Sequence, residues 1–213
     1  MKTLIYGAGP IGRWLALRMH QAGQDVTLLA RSGTYRKLVA RGIVIVDGLT
    51  GKRLTARPKM VDRLEPDDLY DLVVVAMQKS SRMAVCPTLA ENDSLRNILF
   101  MGNDVSGFQH YVDYLPKDRI LLGFPGLGGG WEGDDLVIMD REKRGCPLGE
   151  IFGSRSAEIR FGLHARTVGP ELIELAEEFA VLKRLAGLET PSLDALLAHV
   201  PRQPATDRMK VAS

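Results

Sequence analysis

The run Thr3-Leu4-Ile5-Tyr6-Gly7-Ala8-Gly9-Pro10-Ile11-Gly12 comes near the start of the sequence and sets the expected architecture. Residues 3–6 are a short apolar stretch ending in glycine, the pattern of a parallel strand buried on both faces. Residues 10–22 carry Ile11, Trp14, Leu15, the Arg18 stem, Met19 and Ala22 at helical spacing, with Gly23 as the stop. Residues 25–30 then read as a second strand. The segment between the first strand and the helix fits GxGxxG. Gly7 permits a tight turn out of the strand, Gly9 lets the backbone approach a pyrophosphate, and Gly12 lets the helix pack closely on the sheet. The helix start offers free N–H groups and the positive end of a dipole to the phosphates. Alone the pattern is weak. Its place between strand and helix, with a second strand following, points to a dinucleotide. The competing reading is a glycine-rich turn in an unrelated α/β fold.

The end of the second strand distinguishes NAD from NADP. An NAD site usually has an Asp or Glu there to hold the ribose 2′-hydroxyl. Here the segment is Leu29-Ala30-Arg31-Ser32, without an acid. Arg31 is placed to clamp a 2′-phosphate bidentately, and Arg36 and Lys37 add charge nearby. The expected cofactor is therefore NADP(H), against the plainer reading of Arg31 as a solvated loop residue.

Further strands are expected over 43–46, 72–77, 98–101 and 120–124. Turn signals at Asp47-Gly48 and Thr50-Gly51 suggest a hairpin over 43–56. Residues 81–91 read as a helix that Pro87 should kink or end. Phe108, Tyr111, Val112 and Leu115 form one helical face, with Ser106 as a possible cap. The glycine-rich stretch 123–133 separates this pattern from the C-terminal part of the chain; its Gly126–130 part either lines a cleft or is a plain connection. Short strands are expected over 136–139, 149–153 and 158–161. Residues 170–186 read as an amphipathic helix with a core face of Leu172, Leu175, Ala176, Phe179 and Leu182, ended by Gly187. Thr190-Pro191 opens a short helix to 200, and the polar tail 201–213 frays.

Other function classes are disfavoured. With 28 basic and 26 acidic residues the net charge is +2, so no concentrated basic face for nucleic acid is expected. Cys86 and Cys146 form no metal-type spacing with the four histidines, and a reducing cytosol is the simplest setting. No apolar run approaches the roughly 20 residues of a membrane span, and the N-terminal apolar stretch is too short for a signal-peptide core. His20, His110, His164 and His199 are scattered, the pairs Asp67-Asp68 and Asp134-Asp135 read as turns, and Ser80-Ser81 lacks a nucleophile-elbow pattern.

Several stretches in order resemble the ketopantoate reductase family of NADP-dependent 2-oxo-acid reductases. They are LIYGAGPIG from Leu4, VTLLARS from Val26, DLVVVAMQKSS from Asp71, ILFMGNDV from Ile98, GFPGLGGG from Gly123, and GLETPSLDALLAHV from Gly187. The resemblance covers about residues 1–150 well and 170–200 weakly. It implies a lysine just after the fourth parallel strand, near cofactor and substrate. Gln78 stands at that position and Lys79 one step beyond, against the plainer reading of Lys79 as an exposed lysine. It also implies an Asn-Gly after the fifth strand whose asparagine contacts substrate. Asn103 matches, while Asp104 replaces the glycine. Family members further carry a helical second domain with a catalytic lysine and a substrate-binding carboxylate. Here only residues 158–200 remain for it, room for about two helices. Lys183 lies there without a surrounding family motif.

The expected protein is thus α/β, a doubly wound, mostly parallel Rossmann-type sheet with a short helical C-terminal segment. Its divisions are a cofactor domain over 1–165, helices over 166–200 and a tail over 201–213. The expected function is NADPH-dependent reduction of a small 2-oxo acid or related carbonyl. Gly7, Ala8, Gly9, Pro10, Ile11, Gly12, Arg31 and Gln78 would bind cofactor, Asn103 and Lys79 would serve catalysis, and no metal is used. The alternative is a non-catalytic NADP(H)-binding module. A cytoplasmic location and a homodimer through the C-terminal helices complete the expectation, with no nucleic-acid or membrane partner.

Overall fold

The computed structural model describes residues 1–102, 108–125, 127–139, 164–187, 191 and 194. Expectations at Asn103, Asp104, Ser106, Gly126, Cys146, 149–153, 158–161 and 201–213 lie outside them, as does most of 188–200.

Six strands form one parallel sheet. They are β1 (Thr3–Tyr6), β2 (Val26–Leu29), β5 (Lys59–Val61), β6 (Leu72–Val75), β7 (Asn97–Met101) and β8 (Ile120–Gly123), in the order β5-β2-β1-β6-β7-β8. Numbered by appearance within this sheet, that is 3-2-1-4-5-6, the doubly wound dinucleotide-binding order. Every pairing is parallel, with Thr3 level with both Val26 and Leu72. The strands read TLIY, VTLL and LVVV because both sheet faces are covered and neither side of the pleat meets water.

The pleat divides the core in two. Leu4, Tyr6, Val73 and Val75 point to one face. There they meet Val85, Cys86 and Leu89 of α3 (Lys79–Ala90), together with Tyr111 and Leu115. Ile5, Leu28 and Val74 point to the other, where Ala16 and Leu17 of α1 (Pro10–Gln21) pack. A second, four-stranded sheet covers the outer side of α1. Its order is β4-β3-β10-β9, built from β3 (Ile43–Asp47), β4 (Arg53–Ala56), β9 (Gly128–Glu132) and β10 (Asp135–Met139). Ile43, Ile45, Leu136 and Ile138 of that sheet join the same buried cluster. α1 is therefore held between two sheets.

The 43–56 excursion is the expected hairpin, with Ile43 level with Ala56. Its turn is tied by the Asp47 carboxylate, which accepts from the Leu49 and Thr50 amides at 2.8 and 2.9 Å. The sequence reading did not foresee α2 (Ser32–Arg41) or β5.

Four expectations need correction. Residues 108–115 are not a continuous helix: a 3-10 turn at Gln109–Tyr111 is followed by further turns, with Tyr111 N–H bonded to the Phe108 carbonyl at 2.9 Å. This tighter winding lays the buried Tyr111 ring flat on Phe100, centroids 3.8 Å apart and 8° from parallel. Pro87 does not end α3, which continues to Ala90. Pro87 lies on the exposed side of the helix, where water can serve the Met83 carbonyl that its missing N–H leaves free. The glycine run is not a bare connection, because Gly128, Gly129 and Gly130 are strand residues paired with Met139, Ile138 and Val137. A Cβ on Gly129 would sit 2.4 Å from the Val137 carbonyl oxygen, so the close approach of β10 requires glycine. Finally, the C-terminal helix, α4 (His164–Ala186), begins before Pro170. Its supposed core face is partly open, with Phe179 39% and Leu182 41% exposed. Among the described residues no helix is long and apolar enough to cross a membrane.

The stacked Tyr111 ring should carry much of the packing between β7 and the segment after it. Tyr111→Ala is expected to cost about 3–5 kcal/mol, a fall in Tm of roughly 6–20 °C at this chain length. Tyr111→Phe keeps the stack and loses a hydroxyl, about 1 kcal/mol. Calorimetric melting of the two variants checks the ranking.

Candidate functional site at the carboxyl edge of the parallel sheet

Because all six strands run the same way, their following loops collect at one edge. Gly7 follows β1, Ala30 and Arg31 follow β2, Ala76 to Gln78 follow β6, and Gly102 follows β7. The strand order reverses between β1 and β6, where doubly wound sheets open a crevice for ligands.

The glycine turn lies on that crevice. Gly7 has φ +117°, a conformation that side chains disfavour, and a Cβ there would lie 2.7 Å from the Ala76 carbonyl oxygen. The Gly7 amide donates to the Leu29 carbonyl at 3.2 Å, and the Ala76 amide to the Tyr6 carbonyl at 2.9 Å. The turn is thereby tied to the strands on both sides. Gly12 is buried against it: a Cβ would fall 1.8 Å from the Gly7 carbonyl oxygen and 3.3 Å from an Ile5 methyl. At Gly9 the opposite holds, with nothing within 4 Å of the Cβ position. Gly9 is the N-cap of α1, Pro10 opens the helix, and no side chain caps its first turn. Open space over bare amides at a helix start suits an anionic diphosphate. The residues present therefore fit a dinucleotide.

Two side chains that the sequence reading missed shape this turn. Arg13 donates from Nε to the Ala8 carbonyl at 2.7 Å, and its guanidinium lies 4.7 Å from the Trp131 ring centroid on β9. Burial holds the Arg13 guanidinium below its usual basicity. Its place directly after Gly12 was the available signal; the Trp131 partner is distant in sequence and left none. Arg82, on α3, is fully buried. Its Nη1 lies 3.4 Å from the Tyr111 hydroxyl, and its Nη2 would touch a Cβ on Gly102 at 2.6 Å. This cation lies under the end of β7, just before Asn103.

The other expected site residues spread along the same edge. Arg31 is exposed and caps α2, its carbonyl accepting from Thr34 at 3.1 Å and Tyr35 at 3.3 Å. Ser32 follows at φ +44°, strained for a residue with a side chain. Burial raises the Tyr6 phenol pKa, and the nearby Arg31 charge pulls it the other way. Gln78 caps α3 through its carbonyl, 2.9 Å from the Ser81 amide. Lys79 opens α3, but it is largely buried rather than an exposed lysine, and its ammonium pairs with Glu178 of α4. Lys183 pairs instead with Asp194. Among the described residues no group of His, Cys, Asp and Glu could hold a metal ion.

The two glycines at the helix start separate packing from ligand access. Gly12→Ala should lower Tm markedly, because the carbonyl it meets is backbone that cannot yield. Gly9→Ala should leave Tm within a degree or two while weakening dinucleotide binding at least ten-fold, about 1.4 kcal/mol. Thermal melts and a fluorescence titration of both variants test this.

A family model described as ketopantoate reductase PanE/ApbA matches residues 3–150. An uncharacterized oxidoreductase of Bacillus subtilis (strain 168), YkpB, is 23% identical over 163 residues, covering 75% of this chain and 52% of its own length. A 2-dehydropantoate 2-reductase of Mesorhizobium japonicum is 28% identical over 141 residues, covering 66% of this chain and 39% of its own. The ternary structure of D-mandelate dehydrogenase with NADH and anilino(oxo)acetate shares the fold. Its TM-score is 0.61 at 16% identity, covering 94% of this chain and 78% of that one. This chain spans about half the length of the two sequence relatives or less. With residues 3–150 of its 213 inside the family model, the chain belongs to the ketopantoate reductase family.

Proposed function

We propose that the protein binds NADP(H) across the crevice between β1 and β6 and reduces a small 2-oxo acid or related carbonyl. The observation that carries the reading is the uncapped first turn of α1 beneath open space at Gly9. Membership of a reductase family supports it.

Gly7, Ala8, Gly9, Pro10, Ile11 and Gly12 would hold the diphosphate through backbone amides and the α1 dipole. Arg31 would hold the 2′-phosphate. It stands at the end of β2, exposed and unaccompanied by an acid, with the first turn of α2 beside it. Gln78, at the end of β6, would face the nicotinamide half. Asn103, next after Gly102, would orient the substrate. When bound, the reduced nicotinamide supplies a hydride to the carbonyl carbon. The chain's part is to hold the carbonyl in place, exclude water and deliver a proton to its oxygen, from Lys79 or a bound water. In an Arg31→Ala variant NADPH should bind at least ten-fold more weakly with NADH little changed. Equal losses for both cofactors would remove Arg31 from this role.

A second reading is an NADP(H)-binding module without turnover. A second copy of the chain is the partner this reading expects. Phe179, Val181, Leu182 and Leu185 on α4 are 39%, 44%, 41% and 80% exposed, an apolar face suited to a partner helix. A buried, free Cys86 fits a reducing cytosol. Sedimentation should find a dimer that Leu185→Glu weakens, and a strict monomer at all concentrations would count against it. Turnover of NADPH with 2-oxo acids separates reductase from module.

A further inference from the structure

The ion pair Lys79–Glu178 joins the start of α3 to the C-terminal helix α4. Lys79 is the first residue of α3, two positions after Met77, whose side chain lies against Gly7. Glu178 lies midway along α4, a helix that also rests against β9. The two side chains are only 18% and 20% exposed. The surface pairs Arg53–Asp135 and Arg63–Glu65 expose 45–76% of theirs. Exposed pairs of that kind contribute little. A pair withdrawn from water is different, since each partner strands a charge if the other is removed. A lysine on four methylenes samples many rotamers, and a carboxylate fixed on a neighbouring helix selects one of them. An ammonium has three N–H donors, more than a single carboxylate oxygen takes up. A 2-oxo acid offers two such acceptors, its carboxylate and the carbonyl oxygen on which charge develops.

We infer that Glu178 is a positioning residue for Lys79: it holds the ammonium at the substrate end of the crevice, so that α4 supplies part of the site it covers. The inference rests on the reductase reading above and adds a residue to it. Glu178 was not among the expected site residues, because its helix carries four glutamates and nothing in their spacing singles one out.

The test uses the full chain and two independent readouts. In the first, Lys79 is acylated with a water-soluble acetyl ester and followed by mass spectrometry. Lys79 should react slowly in the native protein and at least five-fold faster in Glu178→Gln, with Lys59 unchanged as control. Equal rates overturn the inference. In the second, reduction of small 2-oxo acids is measured with NADPH. Glu178→Gln should lower kcat at least ten-fold with NADPH affinity within two-fold, and Glu178→Asp should recover part of the loss. The exchanged pair Lys79→Glu with Glu178→Lys keeps the tie between helix and sheet but should not restore kcat. If it does, or if Glu178→Gln loses Tm and NADPH affinity together, the pair is a structural tether and the inference fails. Native protein that turns over no 2-oxo acid overturns the reductase reading, and this inference falls with it. Normal turnover by Glu178→Gln overturns the inference alone.

Discussion

The contact between Gly12 and the Gly7 carbonyl is the constraint on which the rest of the structure depends. With a Cβ position only 1.8 Å from that oxygen, α1 can lie this close to β1 only because neither partner has a side chain at the meeting point. The closeness aims the helix start at the crevice. It also buries Ala16 and Leu17 fully between the two sheets. The same turn is wedged against Ala76 and Met77, so strand, turn and helix keep one geometry before any ligand arrives. A turn fixed by packing in this way would spend little free energy on ordering itself when a ligand binds.

Around that turn the chain collects cations although its net charge is only +2. Arg13 supports the Ala8 carbonyl, Arg31 stands at the next strand end, Arg82 lies beneath Gly102, and Lys79 is held by Glu178. Three of these cations have different supports, drawn from three parts of the fold: β9 against Arg13, Tyr111 beside Arg82, and α4 against Lys79. The second sheet and the C-terminal helix thus help to shape an edge that belongs to the first sheet.

Much of this was legible in advance wherever a local pattern carried its own cause. Apolar runs such as LVVV mark strands covered on both faces, and Asp47-Gly48 with Thr50-Gly51 marks a hairpin turn. Legibility failed where one pattern suits two structures. Phe108, Tyr111 and Leu115 have helical spacing, yet the chain there winds more tightly to stack Tyr111 on Phe100. Gly128–Gly130 looks like a linker and is a strand, because its partner approaches too closely for side chains. Arg82, in the middle of α3, has no local feature to mark it as a buried cation, and its burial follows from what packs over it.

The sequence by itself determined the glycine turn, the parallel strands that flank it and the absence of an acid after β2, since these depend on backbone freedom and on neighbours a few residues away. The tertiary structure alone decided that α1 lies between two sheets, that Trp131 covers Arg13, and that Glu178 meets Lys79. Those contacts join residues about 100 positions apart. Contacts at such range form only once packing has brought the segments together, so no local pattern in the chain can announce them.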